Sequence, residues 1–326
     1  MPAPLILVTS PQLSDEAKRI LAAAGAQVGY MAAPSVPEET LIEELNAKRY
    51  AGVLMRGSPP FTRRVLAAAP ALKIIAKHGA GVDSVDMVAA TELGIAVMNA
   101  GGANADSVAE HAIALMLSLA RELPGMDRGM RGGLWKKGTY VGREFRGRVV
   151  GVVGYGEIGR RVAHLAQQLG ARPLLYSRSG FTGPAGTEVE TDFDALLTRS
   201  DILSLHCPLT ERTRGLIGAR ELALLPPGAI LINTARGGVV DEQALIAALE
   251  SGKLAAAGLD TFAAEPPDPK NPLFQLPNVI CTPHVAAMTE GAMLRMGTIA
   301  AQNLIGYLAG GSFERASLLN PAVLEH

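Results

Sequence analysis

The stretch Val149-Val150-Gly151-Val152-Val153-Gly154-Tyr155-Gly156-Glu157-Ile158-Gly159 begins as an apolar run and breaks into three glycines spaced Gly154-x-Gly156-x-x-Gly159. In a strand–turn–helix unit with this spacing, the first glycine permits the tight turn and the second lets a diphosphate approach the backbone. The third lets the helix pack on the strand. Both flanks supply that context, since an apolar β-type run precedes the glycines and Val162, Leu165, Ala166 and Leu169 follow at helical spacing. The spacing predicts a dinucleotide site whose diphosphate faces the unpaired N–H groups of a helix start. Its candidate residues are Gly154, Tyr155, Gly156, Glu157, Ile158 and Gly159.

Outward from that turn, Pro173-Leu174-Leu175-Tyr176 reads as the second strand of the unit, and it ends in Ser177-Arg178-Ser179. This is where a carboxylate would grip a ribose 2′-hydroxyl. An acid there would repel a 2′-phosphate, whereas two hydroxyls and a guanidinium can donate to one. Ser177, Arg178 and Ser179 therefore favour NADP(H), with NAD(H) left open. The same three residues also read as a solvated loop.

The composition narrows the partners. At 326 residues and 48% hydrophobic content the chain can bury two cores, and its formal net charge of -1 offers no basic field for nucleic acid. A small molecule is the expected partner. Cys207 and Cys281 are the only cysteines and lack C-x-x-C spacing, so neither a disulfide framework nor a zinc site is expected and no metal is assigned. The N-terminus has no basic n-region and runs directly into a strand-like segment, and the longest apolar helical stretch, 112–120, is too short for a bilayer. A cytoplasmic protein with no membrane contact is the expectation.

Before the glycine turn, strand-like runs at 5–8, 28–30, 52–55, 74–76 and 96–98 alternate with amphipathic stretches, as in a small α/β unit. A long helix is expected from 104 to about 123, then an irregular connection over 125–142 that holds the single tryptophan, Trp135. After the turn, strand signals recur at 174–176, 202–205, 229–232, 256–259 and 279–281, the pattern of a doubly wound parallel sheet, and a last helix spans about 289–309.

Ligands in such sheets bind beyond the carboxyl ends of the strands, and three polar residues fall there: Arg236, Glu265 and His284. Hydride transfer to a 2-oxo acid needs a cation for the substrate carboxylate and a proton donor for the developing alkoxide. Arg236 and His284 match those needs, and Glu265 can hold an imidazole in its protonated form. Taken singly, they also read as a surface charge, a loop acid and a half-buried histidine.

Together with Lys77-His78-Gly79-Ala80-Gly81-Val82-Asp83, Asn104 through Glu110 with His111, His206-Cys207-Pro208-Leu209-Thr210, Asn233 through Glu242, Asp260 with Glu265-Pro266, and Thr282-Pro283-His284, the chain resembles the D-isomer-specific 2-hydroxyacid dehydrogenase family over nearly its whole length. The resemblance implies an α/β fold of two domains: a Rossmann cofactor domain, 100–288, inserted into a smaller flavodoxin-like substrate-binding domain, 1–99 with 289–326. It implies Arg236, Glu265 and His284 as the catalytic set. Cys207, Thr234 and Ala235 would line the cofactor, and Asp260 would meet its carboxamide. Gly79, Ala80 and Gly81 would hold the substrate carboxylate, with Arg56 and His78 near its side chain. It also implies a homodimer built on the helix after Asn104, with Trp135 either on an arm toward the neighbouring subunit or in ordinary packing.

Three departures shape the expected activity. Ser177-Arg178-Ser179 resembles the NADP-preferring glyoxylate/hydroxypyruvate reductases, Lys77-His78 replaces a common arginine-led loop, and the chain ends at His326 without the regulatory domain of longer phosphoglycerate enzymes, so serine feedback is not expected. The expected reaction is NADPH-dependent reduction of a short 2-oxo acid to the D-2-hydroxy acid. NAD-linked oxidation of D-3-phosphoglycerate or of another D-2-hydroxy acid is the alternative. A cofactor-sensing corepressor and a formate dehydrogenase stand further off; the latter carries an amide where this chain has Glu265.

Overall fold

The computed structural model describes residues 3–33, 36–57, 59–177 and 182–325. They form two compact units, one of residues 1–104 with 289–326 and the other of 105–288.

In the first unit the strands are β1 (Leu5–Val8), β2 (Gln27–Tyr30), β3 (Gly52–Met55), β4 (Ile74–Lys77) and β5 (Ala96–Met98), and the helices α1 (Asp15–Ala23), α2 (Glu38–Ala47), α3 (Arg63–Ala67) and α4 (Met87–Glu92) connect them. The sheet is parallel in the order β2-β1-β3-β4-β5. Strands β3 and β4 are buried along their whole length, which is why they read as continuous apolar runs rather than alternating ones.

The second unit begins with helices α5 (Ala105–Ala120) and α6 (Leu123–Arg131) and strand β6 (Val149–Val153). Helix α7 (Glu157–Gln168), β7 (Arg172–Tyr176), β8 (Glu188–Glu190), α8 (Phe193–Arg199) and β9 (Ile202–Leu205) follow. The unit closes with α9 (Ala219–Leu224), β10 (Ala229–Asn233), α10 (Glu242–Glu250), β11 (Leu254–Leu259) and β12 (Val279–Cys281). The chain then returns to the first unit as α11 (Glu290–Leu308), which packs on α1, β3 and β4. The second sheet runs β12-β11-β10-β9-β6-β7-β8, all parallel, so its strand order reverses between β6 and β9. That reversal opens the crevice in which such sheets take ligands.

The structure departs from the sequence expectations in four places. Residues 100–104 belong to the first unit, because the Ala100 amide donates to the Gly79 carbonyl at 2.9 Å and Arg295 Nε to the Ala103 carbonyl at 2.9 Å. The connection expected to be irregular over 125–142 begins as α6. Its Met126 and Met130 recur at helical spacing, and Asp127 pairs with Arg131 one turn on at 2.8 Å. Helix α5 stops at Ala120, and the left-handed Glu122 (φ 50°) separates the two helices. Strand β8 was not legible because it is a three-residue edge strand with a glutamate at each end. Trp135 is 74% exposed, so it is not packed into the body of its own unit.

Candidate active site

The glycine turn follows β6 at the reversal of strand order. Gly154 has φ +98°, and a β-carbon on it would press on the backbone of His206 and Cys207 at 2.6 Å, just beyond β9. One on Gly159 would overlap the Gly154 carbonyl, so only glycine lets α7 start this close to the turn. Gly156 differs: a β-carbon there would meet nothing within 4 Å. It leaves an open approach to the start of α7, whose N-cap is Gly156 itself and has no side-chain cap. Helices α1, α8, α10 and α11, by contrast, are capped by Ser14, Asp192, Asp241 and Thr289. The first-turn acid of α7, Glu157, is neutralised by Arg160 and Arg161 on the same helix, so it does not oppose an anion at the helix start. Tyr155 and Ile158 are partly buried against the core beneath.

Three side-chain polar atoms are buried with no partner among the described residues: His206 Nδ1, Thr234 Oγ1 and Thr261 Oγ1. They lie just past the carboxyl ends of β9, β10 and β11, which are neighbours in the sheet. An unmet buried group of this kind costs about 1–3 kcal/mol, and a polar ligand lying along this edge would relieve that cost. The His206 imidazole is neutral there, since burial pushes its pKa down to about 3. Burial also raises the Cys207 thiol, and Cys207 and Ala235 present small buried surfaces along the same edge. The open glycine turn, the uncapped helix and the orphaned hydroxyls fit a dinucleotide. Ser177 directly follows β7, its amide donating to the Glu190 carbonyl at 3.1 Å; Arg178 and Ser179 lie outside the described residues.

Arg236, Glu265 and His284 follow β10, β11 and β12. Glu265 Oε2 and His284 Nδ1 are 2.7 Å apart, and Glu265 Oε1 accepts the Phe262 amide at 3.1 Å. The hydrogen bond to Glu265 raises the pKa of His284 above its ordinary 6.5, against the opposing effect of burial and with help from the Glu265 and Asp260 charges; Arg236 opposes. For Glu265 burial is the largest single influence and pushes upward, yet the bonds from His284 and Phe262, with the charges of His284 and Arg236, outweigh it and hold the carboxyl below 4.5. With Nδ1 committed to the carboxylate, Nε2 is the imidazole nitrogen that can present a proton.

The Arg236 and Glu265 loops are brought together by one glycine. A β-carbon on Gly237 would overlap the Phe262 carbonyl and the Ala263 amide, so the backbones touch directly. Asn233 locks the start of the Arg236 loop, its Oδ1 accepting the Ala235 amide at 3.0 Å and its Nδ2 donating to the Arg236 carbonyl at 2.9 Å. Glu242 holds the other loop, accepting the Ala263 amide at 2.6 Å. Asp260 is 1% exposed, and its carboxylate accepts the amides of Val285 and Ala286, each at 2.9 Å. It thus anchors the turn that carries His284, a task that its expected place beside the cofactor did not foretell.

In the first unit, Arg56, His78, Gly79, Ala80 and Gly81 lie just past β3 and β4. Thr9 Oγ1 ties the amide and carbonyl of Arg56, each at 2.8 Å. Asn99 Nδ2 donates to the Ala80 carbonyl at 2.8 Å, and Gly79 takes φ +137°. The amides of Ala80 and Gly81 make no hydrogen bond among the described residues, as a carboxylate-binding loop requires. His78 is buried and neutral at pH 7, its pKa lowered to about 4 by burial and by the Arg56 charge. Among the described residues no group of three or more His, Cys, Asp or Glu side chains could hold a metal, and no helix is long and apolar enough to cross a membrane.

Residues 113–286, more than half the chain, match the family model described as D-isomer specific 2-hydroxyacid dehydrogenase, NAD binding domain. The chain is 41% identical over 308 residues to a D-3-phosphoglycerate dehydrogenase of Archaeoglobus fulgidus, which covers 94% of this chain but 57% of that protein. It therefore spans little more than half the length of that relative. With a glyoxylate reductase of Thermococcus litoralis it shares 42% identity over 260 residues, 76% of this chain and 77% of the other. Among solved structures, an NADPH-dependent glyoxylate/hydroxypyruvate reductase of Sinorhizobium meliloti in complex with NADP and malonate superposes with a TM-score of 0.85 at 28% identity, covering 98% of this chain and 97% of that one.

Proposed function

The chain belongs to the D-isomer specific 2-hydroxyacid dehydrogenase family, and from that premise we propose that it reduces a short 2-oxo acid of the glyoxylate or hydroxypyruvate type to the D-2-hydroxy acid with NADPH. The observation that carries this reading is the 2.7 Å contact between Glu265 Oε2 and His284 Nδ1. It keeps a proton on the imidazole near neutral pH and directs it through Nε2. His284 gives that proton to the carbonyl oxygen as it becomes an alkoxide, and Glu265 stabilises the imidazolium until the proton leaves. Arg236 binds the substrate carboxylate and draws charge from the carbonyl. The bound nicotinamide supplies the hydride. Gly154, Gly156 and the first turn of α7 would hold its diphosphate, and the unpartnered hydroxyls of Thr234 and Thr261 would be available to its polar groups.

Ser177, at the end of β7 where an acid would select a free 2′-hydroxyl, supports NADPH over NADH. The exposed apolar side chains of Leu134 and Trp135 support a homodimer. A second reading, NAD-linked oxidation of D-3-phosphoglycerate, is favoured by the 41% identity to the Archaeoglobus enzyme; there His284 takes the proton instead. A panel of 2-oxo acids with NADPH and NADH, alongside D-3-phosphoglycerate oxidation, tests both. A preference for NADH of tenfold or more, about 1.4 kcal/mol, overturns the cofactor assignment. Turnover of D-3-phosphoglycerate with none of glyoxylate or hydroxypyruvate overturns the substrate.

A further inference from the structure

His284 is one of two non-glycine residues with positive φ among the described residues, at +54°. A side chain held in this conformation is strained and persists only where its surroundings over-determine it. Here Asp260 does so from both sides. Its Oδ1 accepts the Val285 amide and Oδ2 the Ala286 amide, each at 2.9 Å, and on the other side Thr282 Oγ1 donates to Oδ1 at 2.6 Å. The residue two before His284 and the two after it are thus fastened to one buried carboxylate. The His284 amide closes the turn on the Thr282 carbonyl at 3.0 Å.

The network continues to a residue that no step of the reaction uses. His111 Nε2, from α5, lies 3.0 Å from Thr282 Oγ1 and 3.8 Å from Asp260 Oδ1. A carboxylate only accepts, so the single hydroxyl proton of Thr282 is spent on Asp260, and the hydroxyl must accept from His111. Nε2 of His111 therefore carries a proton, and the bonds run in one direction from His111 through Thr282 to Asp260. Helix α5 packs on β10 and β11, so its position is set by the same sheet that carries Arg236 and Glu265.

We infer that His111 is a positioning residue for proton transfer: through Thr282 and Asp260 it holds the left-handed turn that keeps the His284 imidazole against Glu265. The inference rests on the reading of His284 as the proton donor. The charged groups that bear on that imidazole are Glu265, Asp260 and Arg236, so loosening the turn weakens chiefly the contact with Glu265. His111→Phe removes the donor, and Thr282→Val removes the hydroxyl at nearly constant shape.

Purified full-length variants are assayed for reduction of the preferred 2-oxo acid across pH. Both are expected to lower kcat roughly tenfold, the scale of a small misplacement of a reacting group. Both should keep NADPH affinity within about twofold and move the alkaline limb of kcat to lower pH. His111→Gln and Thr282→Ser restore the donor and the hydroxyl and should recover both the rate and the limb. A lowered melting temperature with wild-type kcat and pH profile would show a merely structural role and overturn the inference. If His111→Phe does not fold, Thr282→Val against Thr282→Ser decides alone. His284→Gln is the control. Retained turnover there overturns the donor assignment itself, whereas an inactive His284→Gln beside fully active His111→Phe and Thr282→Val overturns only the role of His111.

Discussion

Gly237→Ala is the substitution that most directly probes how the site is assembled. The added β-carbon would lie within the contact radius of the Phe262 carbonyl and the Ala263 amide, which are backbone atoms with no rotamer to escape into. Carbon–carbon contacts relax at about 3.5–4.0 Å, so relief needs the two loops to part by something on the order of an ångström. If they stay together, the strain remains in the folded state as about 1–3 kcal/mol of lost stability. If they part, Arg236 moves relative to Glu265 and His284, and a 1 Å misplacement costs about 100-fold in rate, or about 2.7 kcal/mol of transition-state binding. The expected outcome is thus a kcat reduced by up to two orders of magnitude, a urea midpoint reduced, or a share of each. Steady-state reduction of the preferred 2-oxo acid, paired with urea unfolding followed by circular dichroism, reads both. A variant with wild-type kcat and wild-type midpoint would refute the claim that these loops touch through Gly237.

His284→Gln should cut kcat by about 10²–10⁴-fold while cofactor titration shows nearly unchanged affinity; loss of cofactor binding would speak against a proton-transfer role. Glu265→Gln removes what raises the His284 pKa, so the alkaline limb of the reduction rate should move to lower pH, and an unmoved limb would dismiss the pairing. The same pair sets a stability window. The His284 contribution is complete below 6.5 and lost as pH rises through its raised folded pKa, while that of Glu265 is present above 4.5 and lost as pH falls through its lowered one. Glu265→Gln should therefore destabilise most between those limits, and a urea midpoint difference that keeps growing as pH rises into the alkaline range would contradict this. Ser177→Asp places a carboxylate at the end of β7 and should shift preference toward NADH by about tenfold or more, about 1.4 kcal/mol; an unchanged NADPH to NADH ratio would show that this strand end does not read the 2′-position.

Much of the site was legible because it is local. Gly154, Gly156 and Gly159 announce themselves by spacing, and Arg236, Glu265 and His284 each follow an apolar run that reads as a strand. The parts that stayed hidden are non-local or weakly patterned. Nothing in the order of residues says that Gly237 touches Phe262, 25 positions on, because that contact exists only once β10 and β11 lie side by side. His111 stood in a motif with no task assigned to it, and that it and Asp260 meet at Thr282 emerges only from the fold. Helix α6 was masked by Gly125 and Gly129, whose low helix propensity outweighed the spacing of its methionines.

Hydrophobic periodicity and glycine spacing by themselves determined that this chain builds parallel sheets with a dinucleotide turn at Gly154, since strand, turn and helix preferences act over a few residues and need no partner. Tertiary structure alone decided that Glu265 Oε2 meets His284 Nδ1 and that a buried carboxylate just past β11 clamps the histidine's strained turn. Such contacts depend on where separate strand ends come to rest in the folded sheet, and strand order is a property of the whole fold.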